Sequence, residues 1–266
     1  MHRTKGTVLP LALLLLAWLV LSLVSAESSS CETPNNNSKT TSSSLARRLL
    51  QCGVADVHPV VVLPPSHLTR VLNLSSKAGV EESRRFTWTI GKYRENRVIY
   101  DQPLFGGTRT WHVGIDLGGP ALTAVHAFAD GVIIHAGNNP ARGDYGPTLV
   151  AEHRLRCIPH HRHSGDVREG ADHNAETIVV YALYGHLSLA TLELSRIGRT
   201  FKQGDVLGWL GTEDVNGGWP PHVHFQLARD RPVTHDLPGA VAEKDLEEAM
   251  EVYPDPRLVL GPIYED

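Results

Sequence analysis

Three stretches carry imidazole and carboxylate side chains at spacings that suit chemistry. They are "WHVGIDLG" with His112 and Asp116, "YGHLS" with His186, and "PPHVHFQLA" with His222 and His224. A strand sends residues i and i+2 to the same face. His222 and His224 should therefore stand side by side, with Val223 and Phe225 pointing the other way. Two imidazoles on one face are poor core material. His112 and Asp116, four apart, are expected on one face of a strand. A catalytic zinc takes three nitrogen or oxygen ligands and leaves a fourth position for water. His112, Asp116 and one member of the His222/His224 pair would supply two nitrogens and one oxygen. His186 and the other member would flank the water. Zinc brings that water's pKa to about 7, a range in which histidine exchanges protons. Each motif alone is weak; together they point to hydrolysis at one zinc ion.

The elements that must position these side chains read as strands. From Trp111 to about Leu227, short β-branched and apolar runs alternate with Gly, Pro, Asn and Asp: "AVHAFADGVIIHAG", "TLVAEH", "TIVVYALYGHL", "DVLGWLGT" and "HVHFQLA". Helical periodicity is weak there, so the expected fold class is all-β or β-rich. Val241 to Met250 is the clearest helix. Residues 151–176 are polar and hold His153, His160, His161, His163 and His173. They read as a surface loop inserted between two strands. His126 and His135 lie in apolar strands as packed or edge residues, and Tyr145 reads as a loop residue. Tyr184, two before His186, should share its face, either lining a groove or packing as a core or rim tyrosine.

Upstream, residues 46–105 are transitional. "VHPVVVLPP" is extended and apolar, and "RRFTWTIGKYRENRVIY" suits one or two strands. Arg47-Arg48 reads as a processing site or a basic pair in a short helix. Residues 27–45 form a Ser, Thr and Asn-rich linker. Residues 1–26 have a basic start, an apolar run from Val8 to Ala26 and a small-residue end, the pattern of a secretory signal peptide. The run is also close to bilayer-spanning length, which leaves an uncleaved anchor as the alternative. Asn36-Asn37-Ser38 and Asn73-Leu74-Ser75 fit the N-glycosylation pattern. Cys31, Cys52 and Cys157 allow one disulfide and a leftover thiol, with the pairing open. A net charge of −4 over 266 residues argues against a nucleic-acid partner. Oligomeric state is not legible.

The ordered set "HVGID", "ADGVIIHAG", "LYGHLS", "GDVLGWLGT" and "PPHVHFQL" resembles the M23 metallopeptidases of the lysostaphin and LytM type. The resemblance covers roughly Trp111 to Leu227. It implies a small antiparallel β-sheet with one Zn2+ in a loop-lined groove. It also implies His112, Asp116 and His224 as zinc ligands, and His186 and His222 as the residues that polarise the water and stabilise the tetrahedral intermediate. The implied partner is a peptide or peptidoglycan substrate; the extracellular location is expected from the signal segment. The implied peptidase domain is 106–230, with 46–105 as an N-terminal extension or prosegment and 231–266 as a C-terminal extension. In some members an upstream segment adds a fourth ligand and keeps the enzyme latent. The family's usual Gly-Thr-Pro after the first motif is "PALTAVHA" here. Its usual Ser-Thr-Gly before His-x-His is "NGGWPP", and its usual Glu after it is Gln226. These departures touch the groove walls, where Trp219 is expected. They leave open a zinc hydrolase or amidase acting on a non-wall substrate, and a non-catalytic binding module.

Overall fold

The computed structural model describes residues 45–50, 57–157 and 176–265. These lie within one compact unit, Ser38–Asp266; the other unit, Met1–Asn37, falls outside the described residues. So do the signal segment, nearly all of the linker, Cys31, Cys52 and the histidines at 160, 161, 163 and 173. Among the described residues no helix is long and apolar enough to cross a membrane.

In chain order the strands are β1 (Arg70–Val71), β2 (Thr89–Gly91), β3 (Arg109–His112), β4 (Ile115–Gly118), β5 (Ala124–His126) and β6 (Gly131–Asn139). They continue as β7 (Gly146–Cys157), β8 (Glu176–Gly185), β9 (Thr200–Phe201), β10 (Val206–Trp209), β11 (His222–Ala228) and β12 (Ala240–Ala242). Eight of them build the main sheet in the order β1-β2-β4-β11-β8-β7-β6-β9. Every pairing in it is antiparallel except β1 with β2. Two small antiparallel ribbons, β5 with β10 and β3 with β12, flank it. The fold is β-rich, as the strand pattern predicts, with a short helix, Leu246–Val252, near its C-terminal end.

Alternation gives the sheet two unlike faces. Val223, Phe225 and Leu227 of β11, Val180, Ala182 and Tyr184 of β8, and Leu149 and Ala151 of β7 belong to one apolar core with Ile115, Phe128 and Ile133. Each fully buried side chain of this size contributes roughly 1.5–3 kcal/mol by leaving water. The opposite face has only a small cluster, Ile134, Tyr145, Val150 and Leu183, and beside it the polar side chains of β4 and β11. Val60 and Val61, from the extended apolar segment, are buried in the large core, and β2 joins the sheet through β4. Residues 57–91 are thus built into the same body as the strands downstream.

Two expectations change. The inserted segment does not start at 151: β7 runs to Cys157 and β8 starts at Glu176, because the alternating Leu149, Ala151, His153 and Leu155 all face the core. His153 is therefore buried; its Nδ1 bonds the Ala129 carbonyl and its Nε2 faces the Tyr184 hydroxyl, both at 2.9 Å. Val241 is not helical: Ala240–Ala242 pairs with β3, and the helix starts at Leu246, burying Leu246 and Ala249. Within 84–100 one short strand forms, β2; beyond it the chain turns at Arg94, whose φ of 55° is left-handed, and runs back along β3.

Candidate metal centre

His112 and Asp116 do not share one strand. β3 ends at His112 and pairs with β12, whereas β4 begins at Ile115 within the main sheet; Val113 and Gly114 make the crossing. Gly114 has to be small: a Cβ there would run into the His224 imidazole. The register of β11 against β4 puts His224 opposite Asp116 and His222 opposite Gly118. His222 and His224 do face the same side, and Val223 and Phe225 are fully buried on the other.

Three atoms converge. His112 Nε2 lies 2.9 Å from His224 Nδ1 and 3.2 Å from Asp116 Oδ1, and His224 Nδ1 lies 3.1 Å from the same oxygen. Two ligands of a tetrahedral zinc, each about 2.0–2.1 Å from the ion, stand roughly 3.3 Å apart. The triangle has nearly that size, and these residues form a group that could hold a metal ion. The outer contacts fix which ring nitrogens carry protons. His112 Nδ1 donates to the Lys92 carbonyl at 2.8 Å. His224 Nε2 meets Gln226 Oε1 at 2.9 Å, while the Gln226 amide nitrogen donates to the Pro238 carbonyl. In neutral rings that leaves lone pairs on His112 Nε2 and His224 Nδ1. Two imidazole lone pairs and a carboxylate oxygen aimed at one point have no proton to share, and a cation is what satisfies them. Burial, reinforced by the Arg97 charge, lowers the His112 pKa to about 3, which keeps this ring neutral. Burial disfavours ionised Asp116, but the Arg97 guanidinium bonded to it outweighs that and holds the carboxyl well below its usual range.

His186 sits just past β8 with a φ of 60°, a left-handed conformation that costs a non-glycine residue about 1–2 kcal/mol. Backbone bonds from His186 N to the Tyr145 carbonyl and from Gly211 N to the His186 carbonyl hold it there, both at 2.9 Å. Its Nδ1 donates to the Asn216 carbonyl at 2.8 Å. His222 is matched: its Nδ1 donates to the Pro220 carbonyl at 2.7 Å. The two rings are 4.3 Å apart between centroids, and His222 Nε2 lies 3.8 Å from Asp116 Oδ1. Burial lowers both pKa values, His186 well below its ordinary value. All five predicted histidine and aspartate positions are therefore brought together.

The cleft over them has a volume of ≈ 810 Å³ and is walled by Trp219, Tyr100 and Phe105 among others. Asn216 builds the Trp219 wall. Its Oδ1 accepts from Gly218 N and Trp219 N, and its amide nitrogen donates to the Gly211 and Trp219 carbonyls. Gly217 and Gly218, at φ 87° and 89°, supply the left-handed turn that "NGGWPP" needs.

Tyr184 does not line this cleft. It is fully buried on the core face, 5.3 Å from Phe225 between ring centroids. The alternation linking it to His186 fails because β8 ends at Gly185 and the chain reverses at His186. Beside the two histidine rings stands instead Tyr145, the expected loop residue, 5.3 Å from His186 and 5.2 Å from His224 by ring centroid. Its buried hydroxyl has no hydrogen-bond partner among the described residues. Arg97, Glu95, Tyr100 and Asn216 also escape the motif reading. The one visible signal was the "NGG" turn ahead of the histidine pair.

The protein thus has a β-rich domain with a cleft that gathers two histidines and an aspartate able to hold a metal ion. No family model matches the chain, and no curated protein does. Among solved structures, the catalytic domain of the antimicrobial peptidase lysostaphin from Staphylococcus simulans is similar at 18% identity, over 61% of this chain and 92% of that one, with a TM-score of 0.37. A zinc-containing peptidase from Vibrio cholerae is similar at 20% identity over 51% of this chain, with a TM-score of 0.33. The chain spans 31% of that protein's length, about a third. A mutant catalytic domain of the prophage-encoded M23 protein EnpA from Enterococcus faecalis is similar at 17% identity over 58% of this chain and 88% of its own, with a TM-score of 0.34.

Proposed function

We propose that this protein is an exported zinc-dependent peptidase that hydrolyses peptide bonds, with peptidoglycan-type peptides as its substrates. The observation that carries this reading is the set of three lone pairs, on His112 Nε2, Asp116 Oδ1 and His224 Nδ1, that meet within 3.2 Å of one another. In this reading those atoms hold one zinc, which when bound supplies a Lewis acid that acidifies water and polarises the scissile carbonyl. His186 and His222 each spend Nδ1–H on a backbone carbonyl and keep Nε2 for the substrate. Their depressed pKa values keep them neutral at pH 7, as proton acceptors. One takes the proton of the attacking water and passes it to the leaving amine. The other, on the same side of the cleft, would stabilise the developing oxyanion in its protonated form, with Nε2–H as the donor. The domain assigned to this chemistry is 106–230, with a signal peptide at 1–26 directing export.

The test is cleavage of purified peptidoglycan by the zinc-loaded protein, with His186→Ala as control. Release of new amino termini by the parent and not by the variant is the expected result. A second reading is a zinc hydrolase or amidase with a non-wall substrate, because Trp219 and Tyr100, 6.3 Å apart between ring centroids, give the cleft an aromatic wall. A zinc-loaded protein inert on peptidoglycan would discard the wall substrate.

A further inference from the structure

Residues 92–100 run back along β3 and are bonded to it. Arg94 N donates to the His112 carbonyl, His112 N to the Glu95 carbonyl and Arg97 N to the Thr110 carbonyl, all within 2.9 Å. This backbone pairing carries two groups to the back of the candidate centre. The Lys92 carbonyl accepts from His112 Nδ1 at 2.8 Å and from Arg97 Nη2 at 3.2 Å. Arg97 is 3% exposed. It donates from Nη1 to Asp116 Oδ2 at 2.6 Å and to the Tyr100 hydroxyl at 3.2 Å, and from Nε to Glu95 Oε2 at 3.0 Å. Glu95 is held in turn, its Oε1 accepting from Leu74 N at 2.8 Å. The named Arg97 partners are buried or half-buried, and a guanidinium presents its donors in a rigid fork that a lysine ammonium cannot copy.

We infer that Arg97 is a positioning residue of the metal centre, and that residues 92–100 form a clamp that orients two of its three ligands. The inference rests on the metal reading above. Arg97 occupies Oδ2 of Asp116, so only Oδ1 is presented to the cation and the carboxylate binds through one oxygen. Lys92 fixes the His112 ring with Nε2 toward the same point. Within the segment expected as an N-terminal extension or prosegment, Lys92 and Arg97 therefore stand behind the ligands, while Tyr100 and Phe105 wall the cleft. Removing the segment would dismantle the site instead of opening it. Burial explains why the clamp uses arginine: its charge balances Glu95 and Asp116 away from water, where neither carboxylate can be left unpaired.

The test is zinc affinity of the full chain by competition with a chromophoric chelator, together with the visible spectrum of the cobalt-loaded protein. Parent, Arg97→Lys, Arg97→Met and Glu95→Gln are compared, each after circular dichroism shows it folded. Partners behind a metal ligand typically change affinity 10–100-fold. Arg97→Met should raise the zinc dissociation constant by about that factor and alter the cobalt bands. Arg97→Lys should recover part of the affinity, and Glu95→Gln should move both readouts less, in the same direction. Should Arg97→Met fail to fold, the other two variants carry the test. Folded variants with parental affinity and parental cobalt bands would overturn the clamp and leave the metal reading standing. A parent that binds neither ion would overturn both.

Discussion

Strand β11 serves two faces that differ in how they are built. Val223, Phe225 and Leu227 face a core assembled by alternation from β4, β7 and β8. His222, His224 and Gln226 face a site whose partners come from far along the chain: Asp116 on β4, with Lys92 and Arg97 behind it. The core face needs only volume and apolarity, which many side chains supply. The site face needs particular atoms with particular protons on them, and each depends on a partner that alternation does not provide. Two histidines make the same point. His153, on the core face, closes a hydrogen-bonded pair with Tyr184 and the Ala129 carbonyl. His112, on the site face, keeps one nitrogen bonded and aims the other at a shared point.

The sharpest way to break this contrast is to remove Asp116. Asp116→Ala should abolish peptide cleavage, a loss of at least about 10³-fold in kcat/KM, because the charged ligand is gone. Its effect on folding should be smaller than that of a core deletion. Next, His186→Ala should lower kcat by roughly 10²–10⁴-fold while zinc remains bound, which separates proton transfer from metal binding. On the other face, Phe225→Ala should cost about 3–5 kcal/mol of stability, read as a lower denaturation midpoint in urea. Acid should act on both faces at once. The folded pKa values of His112 and His153 are lowered to about 3, so the unfolded chain binds more protons below pH 6.5. The metal-free protein should lose stability as pH falls from 6.5 toward 3, by up to about 1.4 kcal/mol per pH unit for each such histidine, and should be insensitive to them above pH 7. His153→Leu should shallow that slope in urea titrations. The smallest effect is expected of Gln226→Leu, which frees His224 Nε2 and should weaken zinc binding about tenfold in chelator competition.

The two faces were also unequally legible in the sequence. The strands from Trp111 to Leu227 follow from β-branched alternation, and the histidines stand out because alternation puts polar rings where a core would want carbon. Tyr184 was readable only as far as alternation held; the left-handed His186 ends it, and Tyr145 takes the place beside the ring. Arg97 gave no signal. Its contact with Asp116 spans 19 residues, from a stretch that reads as one or two strands but turns at Arg94. The helix expected from Val241 starts at Leu246 because pairing with β3 claims the apolar Ala240–Ala242 first.

The most direct measurement is metal content. The purified protein, loaded with zinc and freed of excess, should contain about one zinc per chain by elemental analysis, and Asp116→Ala prepared alongside it should contain almost none. A parent without zinc, or an Asp116→Ala protein that keeps it, would contradict the assignment of His112, Asp116 and His224 as a metal centre.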